Sequence, residues 1–88
     1  MASYSVELKP SVEKDLRALP RATIQRILKR IAALTNEPIS RQSVKLTGAQ
    51  HLYRIRSGDY RIVYGVDHDS KLVTVHYVRH RKDAYREM

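Results

Sequence analysis

Hydrophobic positions recur along this chain with two periods, and the change from one to the other divides it. Residues 4 to 8, YSVEL, alternate like a short first strand. Next, Val12, Leu16 and Leu19 stand at helical spacing in KPSVEKDLRALP, a helix opened at Pro10 or Ser11 and stopped at Pro20. RATIQRILKRIAALTNEP follows with Ile24, Ile27, Leu28, Ile31 and Leu34 on one apolar stripe, and with Arg21, Gln25, Arg26, Lys29 and Arg30 largely off it. With only Pro20 between them, the two segments predict an antiparallel helical hairpin. Residues 36 to 50 are a polar connector in which SVKL is a candidate short extended piece. Three strand-like runs come after it, 51–56, 60–66 and 71–79, joined by SGDY and DHDSK. Gly58 suits the positive φ of the first turn. The tail RKDAYREM has helical propensity.

The order is therefore β-α-α-β-β-β with a short C-terminal helical turn. It predicts an α+β fold, an antiparallel sheet with the helical hairpin on one face. One sheet face is then covered and the other free. Along 52–56, Tyr53 and Ile55 alternate with Leu52, Arg54 and Arg56, so one set points inward. Burying arginine unpaired is prohibitive, so Tyr53 and Ile55 are expected under the helices and the arginines on the free face. By the same alternation Val73, Val75 and Tyr77 separate from Leu72, Thr74, His76 and Val78. Tyr4, Tyr53, Tyr60, Tyr64 and Tyr77 read as core or sheet-edge packing.

Composition sharpens this picture. Eighty-eight residues make one domain, 1–88, burying only about 60 to 65% of its unfolded surface. Apolar residues are 42% and charged residues 30%, which excludes a disordered chain. Seventeen Lys and Arg against nine Asp and Glu leave +8. That excess points to a polyanionic partner, nucleic acid or an acidic protein, with solubility as the plainer alternative. Without cysteine there is no disulfide frame and no thiolate metal site. No apolar run reaches membrane-spanning length, and MASYSVELKP has no basic segment leading an apolar one, so a soluble, cytoplasmic protein with no membrane partner is expected.

Two clusters hold the candidate chemistry. Arg54, Arg56 and Arg61 flank the first turn; Arg79, His80, Arg81, Lys82 and Arg86 follow the last strand, with Tyr85 four residues after Arg81. Guanidinium groups stay charged and match phosphate oxygens bidentately. An aromatic among arginines stacks a splayed RNA base. Phosphodiester cleavage needs a proton acceptor for the attacking 2′-OH, cations for the phosphorane and a donor for the departing 5′-oxygen. His80 is the one nearby side chain whose ordinary pKa suits proton transfer near neutrality. The plainer readings are a solvated strand face for Arg54 and Arg56, pairing with Asp59 for Arg61, and a solvated imidazole for His80. His76 reads as a structural sheet residue. It would lie roughly 13 Å from His80 along a strand, too far to share a metal, so no metal and no cofactor is expected.

VKLTGAQHLYRIRSGDYRIVY, followed by VTVHYVRHRKDAYR, resembles the RelE branch of the RelE/ParE toxin superfamily, in its K-L-x-G lead-in, its Y-R-I-R-x-G-D-Y-R-I-x-Y hairpin and its H-R-x-x-x-Y finish. PSVEKDLRALP looks like the family's first helix, and the likeness spans about residues 4 to 87. The resemblance implies a type II toxin that cuts messenger RNA in the ribosomal A site and is neutralised by a cognate antitoxin, expected to be acidic. The free toxin is expected to be monomeric and the antitoxin complex a hetero-oligomer. Position by position, the resemblance makes Arg54 and Arg56 RNA-backbone contacts; Arg79 and Lys82, from the second basic cluster itself, are further candidate RNA-binding residues. It makes Arg61 the scissile-phosphate arginine and Arg81 the residue of charge stabilisation and leaving-group protonation. Tyr85 becomes the tyrosine that stacks on and orients a base, a catalytic residue with a part in proton transfer. Relatives carry lysines at the two hairpin positions, one a candidate base; with arginine there, the base role passes to His80. A ParE-like gyrase poison without nuclease activity, and an inactive homologue that only binds its antitoxin or RNA, are the alternatives.

Overall fold

The chain was studied as a computed structural model that describes residues 3–48 and 51–82. Seven elements follow one another: β1 (Ser5–Leu8), α1 (Pro10–Arg17), α2 (Arg21–Ala33), β2 (Val44–Lys45), β3 (Leu52–Ser57), β4 (Tyr60–Asp67) and β5 (Leu72–His80). The strands form one sheet in the order β1-β5-β4-β3-β2. The α+β class and the helical layer are as expected, and SVKL does supply a short strand. The C-terminal helical turn falls mainly on residues 83–88, outside the described residues.

The sheet is mixed rather than purely antiparallel. β2–β3, β3–β4 and β4–β5 are antiparallel, whereas β1 runs parallel to β5, Val6 against Val73 and Leu8 against Val75. Chain connectivity explains the exception. β3, β4 and β5 are joined by tight turns, which enforce antiparallel pairing. β1 meets β5 only after the whole intervening chain, and a long connection containing helices leaves parallel pairing open.

Both helices lie on one sheet face, α1 against β5 and α2 against β3. Pro10 at the first helical position needs no hydrogen-bond partner for its nitrogen, so α1 starts abruptly. Val12 and Leu16 of α1, and Ile27, Ile31 and Leu34 at the end of α2, meet Ile55, Ile62, Tyr64, Val66, Val73, Val75 and Val78 in one core. The contacting stripe of α2 is narrower than its sequence pattern. Leu28 is 41% exposed and Ile24 half-buried, because the seam follows positions 27, 31 and 34 and leaves its flank in water.

Tyr64 anchors the polar connector to this core. Its ring is fully buried and stacks on Tyr53 at 6.0 Å. Its hydroxyl donates to the Pro38 carbonyl at 2.7 Å, so the 2.8 Å contact with Ser43 has the serine Oγ–H as donor. Burial pushes the phenol pKa above its ordinary value.

Candidate nucleic-acid interface

The open face of the sheet is assembled by register. On β3, Tyr53 and Ile55 point under the helices and Arg54 and Arg56 point away, as the alternation predicts. The turn after Ser57 has Gly58 at φ 59, and it folds β4 back so that Arg61 stands directly opposite Arg56. β5 then brings Arg79 directly opposite Arg61 on the other side. Arg56, Arg61 and Arg79 thus form a row across three adjacent strands spaced about 4.8 Å apart. Arg54 joins diagonally, paired with Val63. Arg56 is exposed, and the other three are half-buried.

Arg79 reaches this row only because β5 carries one extra residue. Val63 pairs with Tyr77 while the next residue of β4, Tyr64, pairs with Val75, so His76 bulges. The bulge reverses the alternation. Val78, not Tyr77, takes the inward position and is 5% exposed; Tyr77 and Arg79 turn to the open face. The Arg79 guanidinium lies over the Tyr77 ring, 5.3 Å from its centroid. The expectation of a packed Tyr77 is therefore corrected, for a reason that strict alternation does not contain.

Beyond β5 the chain turns along the end of the hairpin, where the Arg81 amide donates to the Asp59 carbonyl at 2.8 Å. Arg56, Arg61, Arg81 and Lys82 line an open cleft of about 370 Å³, with Gly58, Asp59 and Tyr60 completing its wall. Behind it Arg30 of α2 donates from Nε to the Arg56 carbonyl at 3.1 Å, on the stretch of β3 that β2 does not cover. Arg30, which stands off the apolar stripe of α2, thereby braces the strand that presents Arg54 and Arg56.

His80 is separated from this group. It pairs with Tyr60, meets that ring edge-on at 5.3 Å, and lines a groove with Lys14, Asp15 and Leu19 on the helix side. The Lys82 amide donates to its Nδ1 at 3.2 Å, which makes that nitrogen an acceptor and places any ring proton of the neutral form on Nε2. The bulge that brings Arg79 outward is what sends His80 to the opposite side. His76 is on the open face, but its Nε2 lies over Gly65, 3.1 Å from where a β-carbon would stand. Gly65 is four residues beyond Arg61, roughly 13 Å along the strand. Neither imidazole stands in the arginine row. Tyr85, the expected base-stacking residue, lies outside the described residues, as does Arg86.

Residues 6–85 match the sequence profile of the family described as the ParE toxin of type II toxin–antitoxin systems. The chain belongs to the RelE/ParE toxin superfamily. A relative in Methanocaldococcus jannaschii bearing the name of toxin RelE1 is 29% identical over 86 residues, 94% of this chain and 96% of its own. The archaeal RelE–RelB complex of Pyrococcus horikoshii contains a chain that superposes with a TM-score of 0.81 at 34% identity, covering 90% of this toxin and 96% of that chain. A chain of the Mycobacterium tuberculosis RelBE2 toxin–antitoxin complex gives 0.78 at 26% identity, over 90% of this toxin and 99% of that chain. The protein is thus a RelE-like toxin of a toxin–antitoxin system. Among its described residues no helix is long and apolar enough to cross a membrane.

Proposed function

We propose that this toxin is a ribosome-dependent endoribonuclease that cleaves messenger RNA in the A site and so stops translation. The observation that carries the reading is the cross-strand row Arg56–Arg61–Arg79 beside the cleft of Arg81 and Lys82. Like charges directly opposite one another on a sheet cost stability, and a docked phosphate relieves that repulsion. Planar guanidinium forks on adjacent strands match the oxygens of one phosphate.

In this reading Arg61 and Arg79 hold the non-bridging oxygens of the scissile phosphate, and Arg54 and Arg56 hold the backbone beside it. The 2′-OH gives its proton to solvent as its oxygen forms a bond to phosphorus, the bond to the 5′-oxygen breaks and that oxygen takes a proton from solvent, and the products are a 2′,3′-cyclic phosphate and a 5′-hydroxyl. Negative charge grows on the phosphorane oxygens, where Arg61 and Arg79 stabilise it without reorganising. Arg79 takes the charge-stabilising place first given to Arg81, since it is the residue in register with Arg61. Arg81 and Lys82 then contact the downstream backbone along the cleft. His80, on the helix side, has no step. With no imidazole in the row, the toxin supplies position and charge, and the ribosome supplies the in-line alignment of the 2′-OH. The antitoxin that neutralises the toxin is an acidic chain covering the arginine face.

Toeprinting on translating ribosomes tests the reading. Codon-phased cuts that disappear in Arg61→Ala and Arg79→Ala support it. The match to a ParE family profile favours one second reading, a gyrase poison. Arrested supercoiling with intact messages would establish that one instead.

A further inference from the structure

We infer that Tyr77 is a stacking platform for a nucleobase of the bound strand, next to the phosphate held by Arg61 and Arg79. The inference rests on the proposed reading of the open face as an RNA site, and it adds a residue that reads from sequence as packing. Three observations meet at this ring. It is 36% exposed, one of the four large hydrophobic side chains on the described surface that stand out from the core. It stands two residues before Arg79 on the same face, and its cross-strand partner Val63 is two residues after Arg61. Finally, it is turned outward by the His76 bulge, a device that re-aims side chains and recurs next to active sites.

The spacing suits a nucleotide. Same-face neighbours on a strand are about 6.5 to 7 Å apart, the order of the reach from a nucleotide's phosphate to its base. A phosphate on Arg61 and Arg79 therefore leaves the adjoining base over Tyr77. The Arg79 guanidinium over the ring fixes the phenol's orientation and continues the cationic surface into the stack. Stacking of this kind accepts any base, because every base has a π-face. The strand would not extend much further along the sheet. Beyond Gly65 the surface changes to a hollow lined by His51, Asp67, His68 and Asp69, whose carboxylates disfavour a phosphate backbone.

The chain contains no tryptophan, so Tyr77→Trp creates a single fluorescent reporter at the position in question. Titration with a short single-stranded RNA carrying 2′-O-methyl at the cut position should quench the indole, while an abasic oligonucleotide of equal charge should bind without quenching. In ribosomal cleavage, Tyr77→Leu should raise the toxin concentration for half-maximal cutting roughly 10- to 100-fold, with Tyr77→Phe restoring it. Equal quenching by both oligonucleotides, or a Leu variant that cuts like the parent, overturns the platform. Arg61→Ala separates this outcome from failure of the underlying reading. If Arg61→Ala loses cleavage while Tyr77→Leu keeps it, only the platform falls; if Arg61→Ala still cuts normally, the arginine-row site falls and the platform with it; if the parent toxin cuts no message, the nuclease reading itself falls.

Discussion

The two faces of this sheet are written on the same strands, one residue apart, and obey opposite rules. Under the helices, Ile55, Ile62, Tyr64, Val73 and Val75 exclude water, and each neighbour supports the next. On the open side, Arg56, Arg61 and Arg79 stand across from one another on three strands, with Arg54 diagonal to them, and gather like charge. Ile62 and Arg61 are adjacent in the chain, yet one belongs to the part that makes the fold stable and the other to a part that the fold tolerates. The difference teaches that stability and function can be separated here by choosing odd or even positions.

The strongest way to break the comparison is to attack each face at its centre. Ile62 is fully buried between Ile55 and Val78 on the neighbouring strands, so Ile62→Ala should cost about 2 to 5 kcal/mol in chemical denaturation. Its neighbour should behave in reverse. Arg61→Gln should cost less stability than Ile62→Ala, while lowering the single-turnover cleavage rate on ribosomes by roughly 100- to 1000-fold, the usual result of removing one preorganised charge donor. If Arg61→Gln unfolds the toxin as Ile62→Ala does, the two faces are not separable.

Tyr64→Phe sharpens the boundary between faces. The hydroxyl joins the core to Pro38 and Ser43, and its removal leaves a carbonyl and a serine without their partner. A loss of about 1 to 3 kcal/mol is expected, measured by thermal or urea unfolding. Cleavage by the folded fraction should be unaltered, since Tyr64 points away from the arginines.

These tests fall where alternation and physical necessity agree, and there the sequence was legible. Arg54 and Arg56 had to face outward because Tyr53 and Ile55 had a core to fill, and Gly58 marked the turn that sets Arg61 opposite Arg56. What could not be read was the single extra residue at His76. A bulge leaves the composition of β5 unchanged and only reverses which residues face inward after it. It carried Tyr77 and Arg79 outward and His80 to the helix side, so that Arg79 and not His80 stands opposite Arg61. The parallel pairing of β1 was equally silent, because it depends on where a long connection returns and not on any residue in YSVEL. The bracing role of Arg30 is silent for a related reason: a side chain off a helix stripe gives no sign of its partner until a strand edge appears beside it.

His76 also gives the comparison a pH dependence. Burial, with help from the Lys9 charge, holds its pKa below the ordinary imidazole value of 6.5. The folded toxin therefore binds this proton less readily than the unfolded chain does. Stability linked to His76 is complete above 6.5 and is lost as pH falls through the depressed folded value. His76→Gln should flatten the decline in unfolding free energy between pH 7 and 5. Asp67, whose carboxylate accepts the Ser70 and Asp69 amides and is thereby held below its ordinary 3.8, adds a loss only in stronger acid.

The smallest expected effect tests the repulsion itself. Arg56 is the exposed member of the row, and its link to α2 runs through its carbonyl, which a side-chain substitution leaves in place. Arg56→Gln should therefore stabilise the free toxin by a few tenths of a kcal/mol at low ionic strength. Arg56 and Arg61 are separated by about one strand spacing, well inside the screening length of about 10 Å at 0.1 M salt, so the gain should shrink as salt is raised toward 1 M. It should vanish or reverse when a short RNA occupies the face, because the substitution then removes an attraction instead of a repulsion. Opposite signs of one substitution in free and bound toxin would show that this charge is kept for its ligand, whereas a uniform loss in both states would make Arg56 an ordinary structural residue.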